Sequence, residues 1–262
     1  MPEKKTKEAK NQKSEKVSWI TRLRNKWNSA LALFPKVRAF SRWTVRLMIV
    51  VFLLDTGYLI GIWPEWKWYA TGPVMKSKFI EEYERSSYQD RSMPKLRWRP
   101  IEWQNIPDDV IKAVLAAEDS RFFRHEGIDT EAFKKAMEYN WNKKRFVYGA
   151  STISQQTVKN LFLSSSRNPL RKWHELLITF SMEQNLKKSR ILTLYLNVAE
   201  FGKGIYGIEA AAQRYWGISA SQLSKSQAIE LAATLPAPVK HNPRTRTKFF
   251  LNHRSKIKRN MG

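Results

Sequence analysis

Residues 106–127, IPDDVIKAVLAAEDSRFFRHEG, combine the pattern of an amphipathic helix with a dense group of charged side chains. Pro107 and Asp108 are typical of a helix start, and Val110 and Val114 follow at helical spacing. The pattern therefore predicts a helix with one apolar face, which ends in a pair of neighbouring carboxylates.

Glu118, the first carboxylate of that pair, is a candidate general base. It follows the apolar helix and precedes two phenylalanines, and burial beside apolar side chains raises the pKa of a carboxyl group. Gly127 permits a turn that folds His125 back, and we expect His125 to make structural hydrogen bonds rather than to act as a catalyst. The alternative is a helix end that carries mixed charges without any catalytic role.

From residue 101 onward the sequence has the pattern of successive helices with recognisable start signals. Asp129 is the expected N-cap of one helix, and Thr152 with Gln155 fits a capping box for another. Asn168 is the expected cap of a third helix, because it precedes a proline at the favoured first position. Alternating strand patterns are scarce and no internal repeat is present, so the sequence predicts a mainly α domain.

GASTISQQTVKN, residues 149–160, places a glycine and small hydroxyl residues directly before a helix. Backbone N–H groups at such a helix start, together with Ser151 and Thr152, can bind an anion. Lys159 lies two turns further along and would add a positive charge for a phosphate. A capped amphipathic helix that binds nothing explains Ser151 and Thr152 equally well, so both interpretations stay open at this stage.

A second basic group lies in RNPLRKWHE, residues 167–175. Arg167, Arg171 and Lys172 surround a helix N-terminus, whose dipole also favours anions. Glu175 follows Arg171 by four residues, and the simplest interpretation is a surface ion pair. The alternative is a diphosphate site, in which Glu175 orients the arginine or holds a divalent metal ion.

Glycines at positions 202, 204 and 207, in YLNVAEFGKGIYGIEAAA, predict a tight, irregular loop between two helices. No GxxxxGK[ST] phosphate loop accompanies these glycines, so a nucleotide ligand is not indicated.

The chain has 262 residues, a formal net charge of +24 and no cysteine, which excludes disulfides and thiolate metal sites. Residues 47–63, LMIVVFLLDTGYLIGIW, are apolar enough to cross a membrane, although Asp55 interrupts them. Arginines precede the segment, as expected of a cytoplasmic flank, and a buried core helix is the alternative. The flanking aromatic residues that would form a belt at the membrane surface are Trp43, Trp63, Trp66, Trp68 and Tyr69.

We therefore expect four segments in the order of the chain. They are a basic cytoplasmic tail over residues 1–46, a single transmembrane anchor over 47–63, a juxtamembrane connector over 64–100 and a catalytic domain over 101–262. The positive charge also suits a membrane-anchored nucleic-acid or lipid-binding protein. Beyond the tail, however, basic residues are interspersed and no nucleic-acid motif is present, so no nucleic-acid partner is expected.

Four of these stretches, in this order, resemble the glycosyltransferase domain of bacterial peptidoglycan polymerases, glycosyltransferase family 51. EDSRFFRHEG matches the family pattern E-D-x-x-F-x-x-H-x-G, with a one-residue ambiguity over the phenylalanine. GASTISQQTVKN matches G-x-S-T-I-x-Q-Q-x-x-K-N without a mismatch, and RKWHE matches R-K-x-x-E. YLN and its glycine-rich continuation follow, and the resemblance extends over residues 100–240.

The resemblance implies a lysozyme-like helical fold with a membrane-dipping subdomain, and an enzyme that polymerises glycan strands. The growing chain on undecaprenyl diphosphate would be the donor, and the 4-hydroxyl of lipid II would attack C1 with inversion. It also implies that Glu118 is the base and that Glu175 is the second catalytic carboxylate, on the diphosphate side. The residues implied in substrate binding are Lys159, Arg167, Arg171, Gln155, Gln156, Ser151 and Thr152; those with a structural role near the site are Asp119, Phe123, His125 and Gly127.

Cofactors, partners and location follow from the same resemblance. Mg²⁺ or Mn²⁺ at Glu175 is expected, and no organic cofactor. The expected partners are lipid II, the lipid-linked glycan, membrane lipids and other cell-wall synthesis and division proteins. The protein would cross the inner membrane once, with its N-terminus cytoplasmic and its catalytic domain periplasmic. Because the chain ends soon after this domain, we expect a monofunctional member rather than one that continues into a transpeptidase.

Two other hypotheses place this fold in a different role. A lytic transglycosylase or lysozyme-like hydrolase would degrade glycan, but a glycan has no diphosphate for Lys159, Arg167 and Arg171 to hold. A non-catalytic cell-wall scaffold is the third hypothesis, and the intact motifs argue against it.

Overall fold

The computed structural model describes residue 19 and residues 21–27, 35–145, 149, 151–164 and 169–261, with the side chains of residues 35–39 left undescribed. The chain divides into two compact units, Met1–Ile62 and Trp63–Gly262. Each unit is considered by itself below.

The first unit contains the long apolar helix α1, Pro35–Gly61. The candidate membrane span is Phe40–Thr71, whose most apolar 18-residue window has a mean hydropathy of 2.0 with none of it buried. An exposed surface of this kind is unfavourable in water and favourable in a lipid bilayer. A helix that is long and apolar enough to span a membrane therefore precedes the catalytic domain, as predicted, and it begins earlier than the expected segment 47–63.

The second unit is mainly helical, as predicted. Its α-helices are α2 (Trp66–Thr71), α3 (Lys78–Gln89), α4 (Asp108–Glu118), α5 (Thr130–Lys143), α6 (Ile153–Phe162), α7 (Pro169–Asn185), α8 (Lys188–Val198), α9 (Ile208–Trp216), α10 (Lys225–Thr234) and α11 (Lys248–Met261). Short 3-10 helices cover Trp103–Asn105, Phe122–Arg124 and Ala220–Gln222.

Two groups of helices build the core of this unit. In one group α10 packs against α4 and α11, and in the other α6 packs against α3, α7 and α8. α10 is rich in alanine, and Ala228, Leu231 and Ala232 are fully buried, which lets its neighbours approach closely. The C-terminal end of α4 and the N-terminal end of α6 are the parts of these groups that carry the predicted site.

The start signals read from the sequence are confirmed where the structure describes them. α4 begins at Asp108 after Pro107, and the Asp129 side chain accepts a hydrogen bond from the Ala132 N–H at 2.9 Å. Thr152 and Gln155 form the predicted capping box of α6. The predicted cap Asn168 lies outside the described residues, and α7 is described from Pro169 onward.

A small sheet occupies the glycine-rich stretch, where an irregular loop was expected. Strands β1 (Arg97–Trp98), β2 (Glu200–Gly202) and β3 (Ile205–Tyr206) lie in the order β1-β3-β2. β3 is parallel to β1 and antiparallel to β2. Gly207 then adopts a φ of +81°, and a Cβ at this position would lie 2.8 Å from the Asn197 carbonyl oxygen. A glycine is therefore required where the hairpin turns into α9.

Residues 64–100, expected to form a connector, are instead part of the second compact unit. Trp66 donates a hydrogen bond to the Ser181 hydroxyl at 2.8 Å, and Tyr69 packs edge-on against Phe162 with ring centroids 4.9 Å apart. Trp66 and Tyr69 thus pack on α6 and α7, whereas both were expected in an aromatic belt. Trp68 remains 60% exposed, as a belt residue would be.

Candidate active site

Asp119 joins the end of α4 to the start of α6. One carboxylate oxygen accepts a hydrogen bond from the Ile153 N–H at 3.0 Å, at the first turn of α6. The same oxygen lies 3.0 Å from His125 Nε2, and Gly127 donates its N–H to His125 Nδ1 at 3.2 Å. Because Nδ1 accepts a hydrogen bond, the ring proton is on Nε2 and points at Asp119. Asp119 and His125 therefore hold the turn after Glu118 in place through these hydrogen bonds.

The turn between His125 and α6 is fixed by Gly127 and Thr152. Gly127 has a φ of +94°, and a Cβ there would meet the Thr179 methyl group at 2.8 Å. The Thr152 hydroxyl donates to the Gly127 carbonyl at 2.6 Å and accepts from the Gln155 N–H at 3.2 Å. Gln155 in turn accepts from the Thr152 N–H at 3.1 Å through its side-chain oxygen. Thr152 and Gln155 are buried and engaged in the helix cap, which differs from the expected contact with substrate.

Glu118 lies partly buried at the last position of α4, beside α6. Gln156 donates its side-chain amide to Glu118 Oε2 at 2.8 Å. Desolvation raises the pKa of Glu118 above its ordinary value, while the Gln156 hydrogen bond and the Lys159 charge act in the opposite direction. Within the part of the chain that the structure describes, Oε1 has no hydrogen-bond partner, so one oxygen of this carboxyl group is available to a substrate hydroxyl.

A small cleft adjoins Glu118 and has a volume of about 170 Å³. Its lining includes Ser120, Asp129 and Ser151, and the side chain of Ser151 is exposed. Ser151 therefore lies at the surface beside the candidate base, where a substrate can reach it.

Cationic side chains gather around Glu175 on α7. Arg171 Nη1 donates to Glu175 Oε2 at 3.0 Å, and Lys172 Nζ donates to Oε1. Glu175 is only 2% exposed, and a buried carboxylate of this kind needs such partners to remain charged. Lys172 also reaches the Ser151 hydroxyl, at 3.5 Å. Glu175 thus orients two cations that face the start of α6, which is one of the two roles considered for it.

Lys159, on α6, interacts electrostatically with both carboxylates, Glu175 and Glu118. Desolvation lowers its pKa from the ordinary value, Glu175 and Glu118 oppose this change, and Arg171 and Lys172 add to it. Its ammonium group also lies 5.9 Å from the centre of the Phe79 ring. Lys159, Arg171 and Lys172 together form a cation group that suits a multiply charged anion such as a diphosphate.

The expected metal ion finds no preassembled site at Glu175. Both carboxylate oxygens already bind cationic side chains, so a metal ion would have to displace Arg171 or Lys172. Across the described residues no group of three or more His, Asp or Glu side chains could hold a metal ion. These residues do not fit a resident metal, and no step below depends on one.

The two neighbouring phenylalanines of the first motif differ in burial. Phe123, expected to be structural, is 56% exposed, whereas Phe122 is 1% exposed and fills the core. Phe122 is thus the phenylalanine of this pair that packs in the core, and the predicted role of Phe123 stays a prediction. Arg167 lies outside the described residues, and its predicted role at a diphosphate stays a prediction.

The sequence placed Lys172 in a basic group without naming its contact with Glu175, and it gave Tyr195 no role at the site. Lys172 stands three residues before Glu175 on one helix, a spacing that already predicts the ion pair. Tyr195 donates its hydroxyl to the Gln156 side-chain oxygen at 3.3 Å. No local pattern announces this contact, because it depends on how α8 packs against α6.

Comparison with known proteins identifies the family to which the chain belongs. The sequence model of the family described as Transglycosylase matches residues 87–262, and the chain belongs to this family of enzymes. A biosynthetic peptidoglycan transglycosylase of Laribacter hongkongensis is 39% identical over 223 residues, which cover 84% of this chain and 96% of that protein. Proteins of the same name from Nitrosospira multiformis and Chromobacterium violaceum are 40% and 41% identical, over 76% and 73% of this chain and 86% and 82% of their own lengths.

Proposed function

We propose that this transglycosylase polymerises peptidoglycan glycan strands from lipid-linked precursors. The growing chain on undecaprenyl diphosphate is the donor, and the acceptor is the 4-hydroxyl of lipid II. The hydroxyl oxygen attacks C1 of the donor, the bond from C1 to the diphosphate breaks, and the linkage inverts from α to β. The lipid diphosphate leaves with the electron pair of that bond.

The presence of a partly buried carboxyl group, Glu118, beside a group of cations around Glu175 carries this proposal. Among the described residues Glu118 Oε1 has no hydrogen-bond partner, so this oxygen can accept the proton of the attacking hydroxyl. Lys159, Arg171 and Lys172 supply positive charge near Glu175, where a diphosphate would develop its charge on leaving. A diphosphate is a weakly basic leaving group and needs positive charge rather than a strong acid.

Degradation of glycan is disfavoured by the same arrangement. A glycosidase uses two carboxyl groups on either side of the bond that it cuts. The second carboxylate here, Glu175, is buried and held by Arg171 and Lys172, so it supports cations rather than acting on a sugar bond. Arg167, by its motif, would extend the cation group.

A membrane location suits lipid-linked substrates. The candidate span, Phe40–Thr71, would tether the enzyme to the bilayer that holds both substrates. The basic residues before the span favour a cytoplasmic N-terminus, which leaves the catalytic unit in the periplasm of an inner-membrane protein. α5 exposes Phe133, Met137 and Trp141, the last by 84%, and this apolar surface supports the membrane-dipping subdomain implied by the resemblance. Membrane lipids would then be partners, and cell-wall synthesis and division proteins remain expected partners without a surface assigned to them.

Purified protein incubated with labelled lipid II in detergent tests the proposal directly. Long glycan chains, resolved on a gel and cut by a β-linkage-specific muramidase, are the expected product. Cleavage of preformed glycan without polymerisation would favour the lytic function, and no reaction with either substrate would favour the scaffold. The expected Mg²⁺ or Mn²⁺ dependence is tested in the same assay with a chelator and with each metal ion added back.

A further inference from the structure

The core residue Tyr195 lies next to the candidate base although it cannot reach a substrate. Its side chain is only 1% exposed on α8, and burial raises the pKa of its hydroxyl well above the ordinary value, so the hydroxyl keeps its proton. That proton points at the side-chain oxygen of Gln156, 3.3 Å away. Tyr195 therefore stays neutral and donates a hydrogen bond to its neighbour Gln156.

Gln156 is the link between this hydroxyl and Glu118. Its amide has one oxygen acceptor and one NH₂ donor, and the two ends differ by a half-turn of the side chain. With the oxygen held by Tyr195, the NH₂ group faces Glu118 Oε2 at 2.8 Å. The opposite orientation would aim the amide oxygen at the carboxylate oxygen, which is unfavourable, and would leave the proton of the buried Tyr195 hydroxyl without its acceptor on Gln156.

We propose that Tyr195 and Gln156 are positioning residues that keep Glu118 ionised and aim its free oxygen at the acceptor hydroxyl. The proposal rests on the proposed polymerisation and deepens it, because it explains how a partly buried carboxyl group is held ready as a base. An amide fixed with its NH₂ group toward Oε2 stabilises the ionised form and limits rotation of the carboxyl plane. Oε1 is then the oxygen that receives the proton.

Other charges also act on Glu118 and must be separated from this effect. Lys159, on α6, favours the ionised carboxylate, while neighbouring Asp119 disfavours it. Substitution of Tyr195 leaves both charges in place and removes only a neutral hydroxyl. A shift of the acid limb of the kcat profile therefore measures how the hydrogen bond from Tyr195 to Gln156 affects Glu118.

Tyr195→Phe tests the proposal because the ring, and with it the core packing, is retained. We expect kcat for lipid II polymerisation to fall by about threefold to tenfold, the range for one hydrogen bond, with KM unchanged. The direction of the pH effect follows from the loss of the Tyr195 hydroxyl, which no longer fixes the orientation of the Gln156 amide. Without a fixed NH₂ group at Oε2 the pKa of Glu118 rises further, so the acid limb of the kcat profile moves to higher pH.

Tyr215→Phe is the matched control, because the Tyr215 hydroxyl also bonds within the same unit, at 2.5 Å from the Phe201 carbonyl. It should keep the wild-type acid limb even if its melting temperature falls as much as that of Tyr195→Phe. A second variant, Gln156→Glu, places an acid against Glu118 and should move the acid limb further upward than Tyr195→Phe does.

The outcomes separate this inference from the proposed function. Wild-type protein that makes no polymer contradicts the proposed function itself. Polymerising wild type with an unchanged acid limb in Tyr195→Phe overturns the positioning role alone. Equal changes in Tyr195→Phe and Tyr215→Phe would also overturn it, since they would reduce the effect to a general loss of core stability.

Discussion

Partial burial gives Glu118 and Lys159 their chemical character. Desolvation favours the neutral form of each group, so it raises the pKa of the carboxyl and lowers that of the ammonium. The sequence indicated the first effect, because Glu118 follows an apolar helix. It could not indicate Gln156 as the partner of Glu118, since the two residues meet only when α4 and α6 are packed.

Lys159→Met should lower kcat for polymerisation by about 10²-fold, because one charged contact to the leaving diphosphate is lost in a partly desolvated site. Methionine is an unbranched side chain only one atom shorter than lysine, so the fold should be retained. Steady-state rates with lipid II measure the effect. Lys258→Met, at an exposed position on α11, is the control and should match the wild type. An active Lys159→Met would remove Lys159 from the diphosphate site.

The pH range in which kcat stays high should be narrower than the range set by a glutamate and a lysine with ordinary pKa values. Glu118 must be ionised to accept a proton, and its pKa lies above 4.5, so activity should fall as the pH drops through a value above 4.5. Lys159 must be protonated, and its pKa lies below 10.5, so activity should fall again before pH 10.5. Initial rates across this range measure both limbs. An acid limb at or below 4.5 would contradict the burial argument.

Among the helices and strands, local signals were predictable and packing between distant segments was not. The caps Asp129 and Thr152 were read correctly, because a cap depends on residues within one turn. β2 and β3 were missed, since strands of three and two residues show no alternation. The sequence predicted only a connector over residues 64–100. It could not show that Trp66 and Tyr69 hold α2 in place, because their partners on α7 and α6 lie far away in the sequence.

Thr152→Ala should destabilise the fold and reduce activity together. It removes a helix cap, which costs about 1 kcal/mol, and also the 2.6 Å hydrogen bond to the Gly127 carbonyl that fixes the turn after Glu118. Denaturant unfolding and polymerisation rates measure the two effects. Ser224→Ala removes the cap of α10 in an equivalent capping box and is the control. It should cost similar stability without a loss of kcat; equal kcat losses would deny Thr152 any link to the site.

For the chain as a whole, the two units differ in how far they bury their apolar side chains, and this difference indicates their different roles. The first carries an apolar helix with none of its most hydrophobic window buried, and the second buries its own core. Family membership rests on residues 87–262, which lie entirely in the second unit. Composition and hydropathy sufficed to predict the anchor, because both are properties of the sequence alone.

Removal of residues 1–62 should leave a folded catalytic unit, because Trp63–Gly262 is compact by itself. We expect its circular dichroism spectrum to stay helical and its polymerisation rate in detergent to stay near that of the full chain. On vesicles that contain lipid II the rate should fall, since the tether that confines the enzyme to the bilayer is lost. A truncated protein as fast as the full chain on vesicles would show that the span is not needed for access.

The most direct test of the account compares Glu118→Gln with Glu126→Gln in lipid II polymerisation. Glutamine keeps the size of the side chain and its contact with Gln156 but cannot accept the hydroxyl proton. We predict that Glu118→Gln lowers kcat by about 10²- to 10⁴-fold, the range for a lost general base, while Glu126→Gln, at an exposed site in the same motif, polymerises like the wild type. Full polymerisation by Glu118→Gln would contradict the assignment of the base and, with it, the mechanism proposed here.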